Sequence, residues 1–279
     1  MSRAAVGIDG CSGGWVVAAW TPGAAPTLFT LERLEALAGA LAAQGLRPTR
    51  QLIDMPIGLP LAGPRPVDLL AQAALGAARA SIFITPPRPV LDALNFEEAQ
   101  RLARAALGQG LSLQAWNLVP KIRAVDRFLR RTRPAPPCLE EAHPELTFQR
   151  LNAGQGGAPL PSKKTAEGAS ARSAMLEALG LPCATALSQP LTCEGRRVAL
   201  DDRLDALVLA YLASLPERAL EHLGAGDLDP LGLPMTLLAP RAPSEGRRGI
   251  KRFLRPSRPT SLISRQPNRR GEARWHRIG

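Results

Sequence analysis

Residues 4–19, AVGIDGCSGGWVVAAW, constrain the fold more than any other stretch of the chain. Two runs of small and β-branched residues flank a glycine-rich turn, and the first run ends on a lone acid, Asp9. Apolar runs joined by so short a turn predict adjacent antiparallel strands, with PTLFTL as a candidate third. A turn between two strands has no helix N-terminus to offer an anion, so the glycines lack the physical basis of a phosphate cradle. Gly10, Gly13 and Gly14 are instead expected to close a tight hairpin that holds Asp9 up at the end of its strand.

The rest of the chain can supply the core such a hairpin needs. It has 279 residues, of which 45% are hydrophobic, enough for one large domain. The opening MSRAAVGIDG shows no cationic segment followed by an apolar one, and no run approaches 18 uninterrupted apolar residues. The expectation is a soluble, cytoplasmic protein with no membrane partner. Cys11, Cys138, Cys183 and Cys193 have no CxxC spacing, and His143, His222 and His276 are far apart. Neither a zinc site nor a disulfide scaffold is indicated, so any metal must be held by carboxylates.

The net charge of +11 is unevenly distributed. From Arg241 onward there are 12 bases against two acids, Glu245 and Glu272, which leaves 23 bases and 22 acids before them. The body is near neutral, and the excess belongs to an Arg-, Pro- and Ser-rich tail, 241–279, expected to be disordered. A flexible basic arm on nucleic-acid phosphates is one use for it; a solvated appendage without a dedicated role is the other.

The body, 1–240, reads as alternating strands and helices. LERLEALAGALAAQGL has helical spacing with Gly45 as C-cap, and RQLIDMPIGLP is a short buried strand ending in Asp54 before Pro56. Residues 61–136 are expected to form a mostly helical insertion broken at SIFITPPRP. In it, NFEEAQRLARAAL is capped by Asn95 with Glu98 in the capping-box position, and PKIRAVDRFLRR starts at Pro120. CLEEAHPEL is a strand running into a turn, and PSKKTAEGASARSAMLEALGLP is a helix closed by Gly180 and Pro182. The clearest helix is VALDDRLDALVLAYLASL, with Leu204, Leu207, Val208, Tyr211, Leu212 and Leu215 on one stripe.

Acids occupy the half-buried edges of these elements: Asp9, Asp54, Glu141 and the set Asp201, Asp202 and Asp205. A charge in such a place is costly unless partnered, and several acids converging without bases imply a divalent cation. Asp202 and Asp205 are spaced i, i+3 at the edge of the helix stripe. Capping is expected of Asp201 or Asp202 but cannot account for Asp205. Hard cations such as Mg²⁺ or Mn²⁺ take oxygen ligands and can activate water for phosphodiester hydrolysis.

The ordered set GIDGCSGGWVVA, IDMPIGLP, SIFITPPRPVL, GQGLSLQAWNLVPKIRAVDRFL, EAHPELTFQRLN, SKKTAEG and DDRLDALVLA resembles the domain of unknown function 429 family, described as predicted RNase H-like nucleases. The resemblance covers roughly Val6 to Met235. It implies an α/β, RNase H-like mixed sheet, antiparallel in its first three strands, with flanking helices and a helical insertion. It also implies an acid set drawn from the first strand, a later strand and the last helix. Asp9 occupies the first place, and DDRLDALVLA is similar to the terminal helix of Holliday-junction resolvases, which favours Asp202 and Asp205. Asp54 and Glu141 both end strands between them, and either fits the central place.

Lys121, Lys163, Lys164 and Arg88 are candidates for phosphate contact, with solvent-facing charge as the alternative. His143, in HPE, is a candidate to activate water or to hold Glu141, with a plain hydrogen-bonded turn as the alternative. The expected function is metal-dependent, nuclease-like hydrolysis of a nucleic acid. An ATP-binding phosphotransferase of the actin or sugar-kinase type is the second reading, and a non-catalytic binding protein that keeps the fold is the third. The phosphotransferase needs a duplicated domain and a second phosphate loop, for which IDMPIGLP is a poor substitute.

Overall fold

The computed structural model describes residues 1–132 and 139–242. The expectation of a disordered tail, and Cys138, lie outside the described residues. The opening hairpin forms as expected: strands β1 (Ser2–Cys11) and β2 (Gly14–Trp20) pair antiparallel with Asp9 opposite Val16, and β3 (Thr27–Leu31) pairs antiparallel with β2. The two-residue turn between them has Gly13 at φ +90°, a conformation that L side chains avoid.

After α1 (Leu37–Ala43), strand β4 (Leu46–Ile53) joins β1 in parallel. Its register slips by one residue between Ala4 and Ala5. Pro48 has no N–H to give the ladder there, and the Thr49 hydroxyl donates to the Ala4 carbonyl instead (3.1 Å). Strands β5 (Leu139–Ala142) and β9 (Leu237–Pro240) extend the parallel side, and β8 (Leu220–Leu223) closes it antiparallel. The order is β3-β2-β1-β4-β5-β9-β8. This mixed sheet, antiparallel in its first three strands and flanked by helices, is the RNase H-like α/β arrangement the sequence predicts.

Between β4 and β5 lie α2 (Pro66–Leu75), α3 (Phe96–Leu107) and α4 (Leu113–Thr132), with 3-10 turns at Gly76–Ser81 and Arg88–Asp92. Asn95 caps α3 by accepting from the Glu98 N–H (2.9 Å), whereas the Glu98 carboxylate reaches Leu94 N–H (2.9 Å). Two boundaries differ from expectation. The helix predicted over LERLEALAGALAAQGL is split into a 3-10 turn and the shorter α1. Pro120 lies inside α4 rather than at its start. Ser112 Oγ accepts from Ala115 N–H (3.1 Å) at the true beginning. Burial of Ala115, Val119, Ile122, Val125 and Leu129 in one core cluster holds the helix through the proline.

The other face carries α5 (Pro144–Gly154), α6 (Ala166–Ala178), the short α7 (Ala184–Ser188) and α8 (Leu200–Ser214), with the two-residue strands β6 (Thr192–Cys193) and β7 (Arg196–Arg197). α8 lies across β1, β2 and β4 and is roofed by α5 and α6. Every residue from Arg203 to Ala213 is therefore buried, where the sequence predicted a single stripe. Its N-cap is Ala199 with no side-chain bond, so neither Asp201 nor Asp202 caps it. No helix among the described residues is long and apolar enough to cross a membrane.

Candidate metal centre

Strand alternation decides which way Asp9 faces. Ala4, Val6 and Ile8 enter the core cluster shared with α4, whereas Ala5 and Cys11 pack on the α8 side. Asp9 shares that parity, and so does Gly7. A Cβ on Gly7 would sit 2.1 Å from the Ala206 carbonyl oxygen and 2.3 Å from Ala210 N. α8 therefore rests directly on the β1 backbone, which draws Asp205, the neighbour of Ala206, down toward Asp9.

Asp54 arrives from the adjacent strand. Its N–H donates to Ile8 O (3.0 Å), extending the parallel ladder by one residue past Ile53. The result is a group of three carboxylates, Asp9, Asp54 and Asp205, whose ligand oxygens all lie within 4.8 Å of one another. Asp9 Oδ1 also accepts from Gly10 N–H (2.7 Å). The cation nearest the group is Lys163, whose Nζ is 2.5 Å from Asp205 Oδ2.

One ammonium does not neutralise three carboxylates. Burial, then Asp54, Asp205 and Asp202, hold the Asp9 carboxyl well above its usual range, against the pull of Lys163. Burial lifts Asp54 to about 6 and Asp205 to about 6. Burial disfavours the charged form of Lys163, but Asp205, Asp54 and Asp9 outweigh it and raise that ammonium. An all-oxygen, over-negative donor set of this kind fits a hard divalent cation.

The remaining candidates separate from the group. Asp202 lies one turn before Asp205 and is raised to about 6 by burial, Asp201 and Asp205; it stands outside the group of three. Glu141 is buried elsewhere: its Oε2 accepts from Arg65 Nη2 (2.6 Å) and Ile57 N–H (2.7 Å). Arg65 also meets Asp68 (3.4 Å) and Thr85 Oγ1 (3.2 Å). Burial pushes Glu141 up to about 7 while Arg65 pulls it back. Of the two strand-end acids, the geometry selects Asp54, because the Glu141 carboxylate is already occupied.

Lys121 is not a free phosphate contact. Its ammonium donates to Cys11 O (2.9 Å) and Gly14 O (2.5 Å) and lies 4.7 Å from the Trp15 ring centroid, clamping the open ends of the hairpin turn. Lys164 pairs with Asp201, and Arg88 is locked between Asp126 and Asp229. His143 caps α5, its Nδ1 accepting from Leu146 N–H (3.3 Å). Burial lowers it to about 4, so it is a neutral structural group. Gly7, not singled out in the sequence, was marked by being a lone glycine inside an apolar strand.

Asp9, Asp54, Lys121, Glu141, His143 and Lys163 all line one cleft of about 470 Å³. The sequence model of the family described as a protein of unknown function (DUF429) matches residues 7–223. The chain belongs to the DUF429 family. The DUF429 match spans all three carboxylates and Lys163, and ends before β9. No curated protein and no solved structure matches the chain.

Proposed function

We propose that this DUF429 chain is a metal-dependent phosphodiester hydrolase of the RNase H type that acts on nucleic acid. The observation that carries the reading is the convergence of Asp9, Asp54 and Asp205 within 4.8 Å, from the ends of two paired strands and the N-terminal half of α8, with the Lys163 ammonium on Asp205. Asp9 and Asp54 are the strand-borne ligands in this reading and Asp205 the helix-borne one, with Asp202 one turn before it on α8. Mg²⁺ or Mn²⁺ bound there supplies a water of lowered pKa and offsets negative charge on a phosphate oxygen. The chain's own part is to hold three carboxylates together, and to keep the partly exposed Lys163 ammonium beside Asp205 in the cleft lining.

The single sheet of this order among the described residues supports hydrolysis over the duplicated phosphotransferase. Cys11, Cys183 and Cys193 are buried free thiols, which favours a reducing, cytoplasmic setting.

The test offers purified full-length protein single-stranded RNA and DNA, an RNA–DNA hybrid and a branched junction, with Mn²⁺ or Mg²⁺. Cleavage of at least one substrate is expected, together with its loss in Asp9→Asn and Asp205→Asn. In parallel, Mn²⁺ binding by calorimetry should fall at least tenfold in both variants. Equal cleavage by wild type and variants, or no Mn²⁺ binding by wild type, sinks the reading.

A further inference from the structure

α4 carries a second charged face. Lys121 lies against the β1–β2 hairpin, whereas Arg123, Arg127, Arg130 and Arg131 fall about 180–280° further round the helix at roughly 100° per residue. With Arg88 they line a separate groove of about 340 Å³, in which the lining carboxylates are Asp92 and Asp126.

Much of that charge is already spoken for. Asp126 is shared between Arg88 (3.0 Å) and Arg130 (3.1 Å), and Arg88 also holds Asp229. Arg123 Nε donates to Leu91 O (2.7 Å). Arg127 and Arg131 are exposed and make no hydrogen bond or close ion pair among the described residues, although Arg131 is near enough to Glu35 to help lower that carboxyl. Like charges at i, i+4, as in Arg123 with Arg127 and Arg127 with Arg131, destabilise a helix. Arg130 and Arg131 can complement the negative end of the helix dipole, but that explains neither Arg123 nor Arg127.

The row from Arg123 to Arg131 extends about 12 Å along the helix at 1.5 Å per residue. A line of guanidinium forks of that length matches successive phosphates of a strand better than one compact anion. We propose that this groove binds the phosphodiester backbone of a nucleic-acid strand, as a contact surface on the side of α4 away from the three carboxylates. The identity of the polymer rests on the phosphodiesterase reading; the binding itself needs no cleavage.

The test measures binding of labelled 12-nucleotide DNA and RNA strands by fluorescence anisotropy, in EDTA, over a salt series. It uses the full chain in every case, so that the basic tail is common to all variants. Arg127→Gln/Arg131→Gln should weaken binding and lower the slope of log affinity on log salt by about 1.4, at roughly 0.7 per lost single-strand phosphate contact. Arg101→Gln/Arg104→Gln, on exposed arginines of α3, should leave affinity and slope unchanged, and neither double should melt below wild type.

An unchanged affinity in the α4 double, or an equal loss in both doubles, overturns the proposal. So does a groove that takes inorganic pyrophosphate but no oligonucleotide. A chain that binds through α4 yet never cuts with Mn²⁺ removes the hydrolase reading and leaves the groove. A chain that cuts while the α4 double binds normally removes only the groove.

Discussion

Two acids, Glu141 buried and Asp54 half-buried, end neighbouring strands of the same sheet, and the protein treats them in opposite ways. Glu141 pairs in register with Ile53, and Asp54 is the very next residue along β4. Glu141 receives a buried guanidinium and a main-chain N–H. Asp54 receives instead two more carboxylates and a share of one ammonium. Burying a charge is tolerable only when it is paired, so the Glu141 network is complete without any ligand and the Asp54 group is not. On the proposed reading, the difference separates an acid held within the architecture from acids left to meet a cation, at two places within one strand spacing of each other.

The largest effect should come from breaking the complete network. Arg65 is fully buried. Arg65→Met strips Glu141 of its counter-charge, and removing one partner of a buried pair costs about 3–5 kcal/mol. Urea denaturation should show that loss, whereas Asp54→Asn should not destabilise the metal-free protein at pH 7 at all. A wild-type midpoint for Arg65→Met would mean that the two sites do not differ as described.

A second substitution tests what brings the three carboxylates together. Gly7→Ala places a methyl 2.1 Å from a backbone oxygen of α8, and backbone cannot step aside as a flexible side chain can. A cost of about 3 kcal/mol is expected from overpacking, together with weaker Mn²⁺ binding in whatever fraction folds, because α8 must lift Asp205 away from Asp9. Unchanged Mn²⁺ affinity in a folded Gly7→Ala protein would show that the helix approach does not set the site.

The sequence made the hairpin, the strand-end position of Asp9 and the helical position of Asp205 readable, because each follows from local periodicity. It could not separate Asp54 from Glu141. Both end apolar strands, and what distinguishes them is Arg65, 76 residues from Glu141 along the chain. No local pattern links the two. Lys121 was misread for a related reason: a lysine on an amphipathic helix looks like solvent charge or a phosphate contact, and only the docking of α4 on the hairpin gives it two carbonyls to hold. Pro120 followed the local rule for a helix start until packing along five buried positions overrode it. The roof of α5 and α6 over α8 is likewise a tertiary fact, since no property of the α8 stripe announces a second covering layer.

The unpaired character of the group should also appear in its pH dependence. Asp54 and Asp205 have folded values of about 6 against 3.8 for the free side chain. The folded protein therefore keeps protons that the unfolded chain has released. Stability from these groups is full below about pH 4 and is lost as pH rises to about 6. Asn at position 54 removes one such titration and relieves the push that Asp54 exerts on Asp9 and Asp205, while His143 and Glu141 cancel in the difference from wild type. Without metal, Asp54→Asn should match wild type near pH 4 and exceed it above pH 6 by on the order of 2 kcal/mol, one pKa unit being worth about 1.4 kcal/mol. Urea titrations in EDTA at pH 4, 5, 6 and 7 give the curve. A variant less stable than wild type at pH 7 would show that Asp54 is already satisfied, as Glu141 is.

The smallest effect bears on Lys163, the one element that makes the two sites look alike. Arg65 is sealed from solvent within its network, whereas the Lys163 side chain is 36% exposed and hangs on a single carboxylate. An ammonium so placed is a replaceable counter-ion: an entering cation must displace it from Asp205, and its attraction to Asp205 is subtracted from the cation's affinity. Lys163→Met removes the competitor and keeps the length of the side chain. Mn²⁺ should then bind about tenfold more tightly, roughly 1.4 kcal/mol, while the metal-free protein becomes less stable through the lost pair. Weaker Mn²⁺ binding by Lys163→Met would reverse the assignment, since an ammonium that aids the cation must be organising the carboxylates as Arg65 organises Glu141, and the contrast between a finished network and an unfinished one would then fail at its centre.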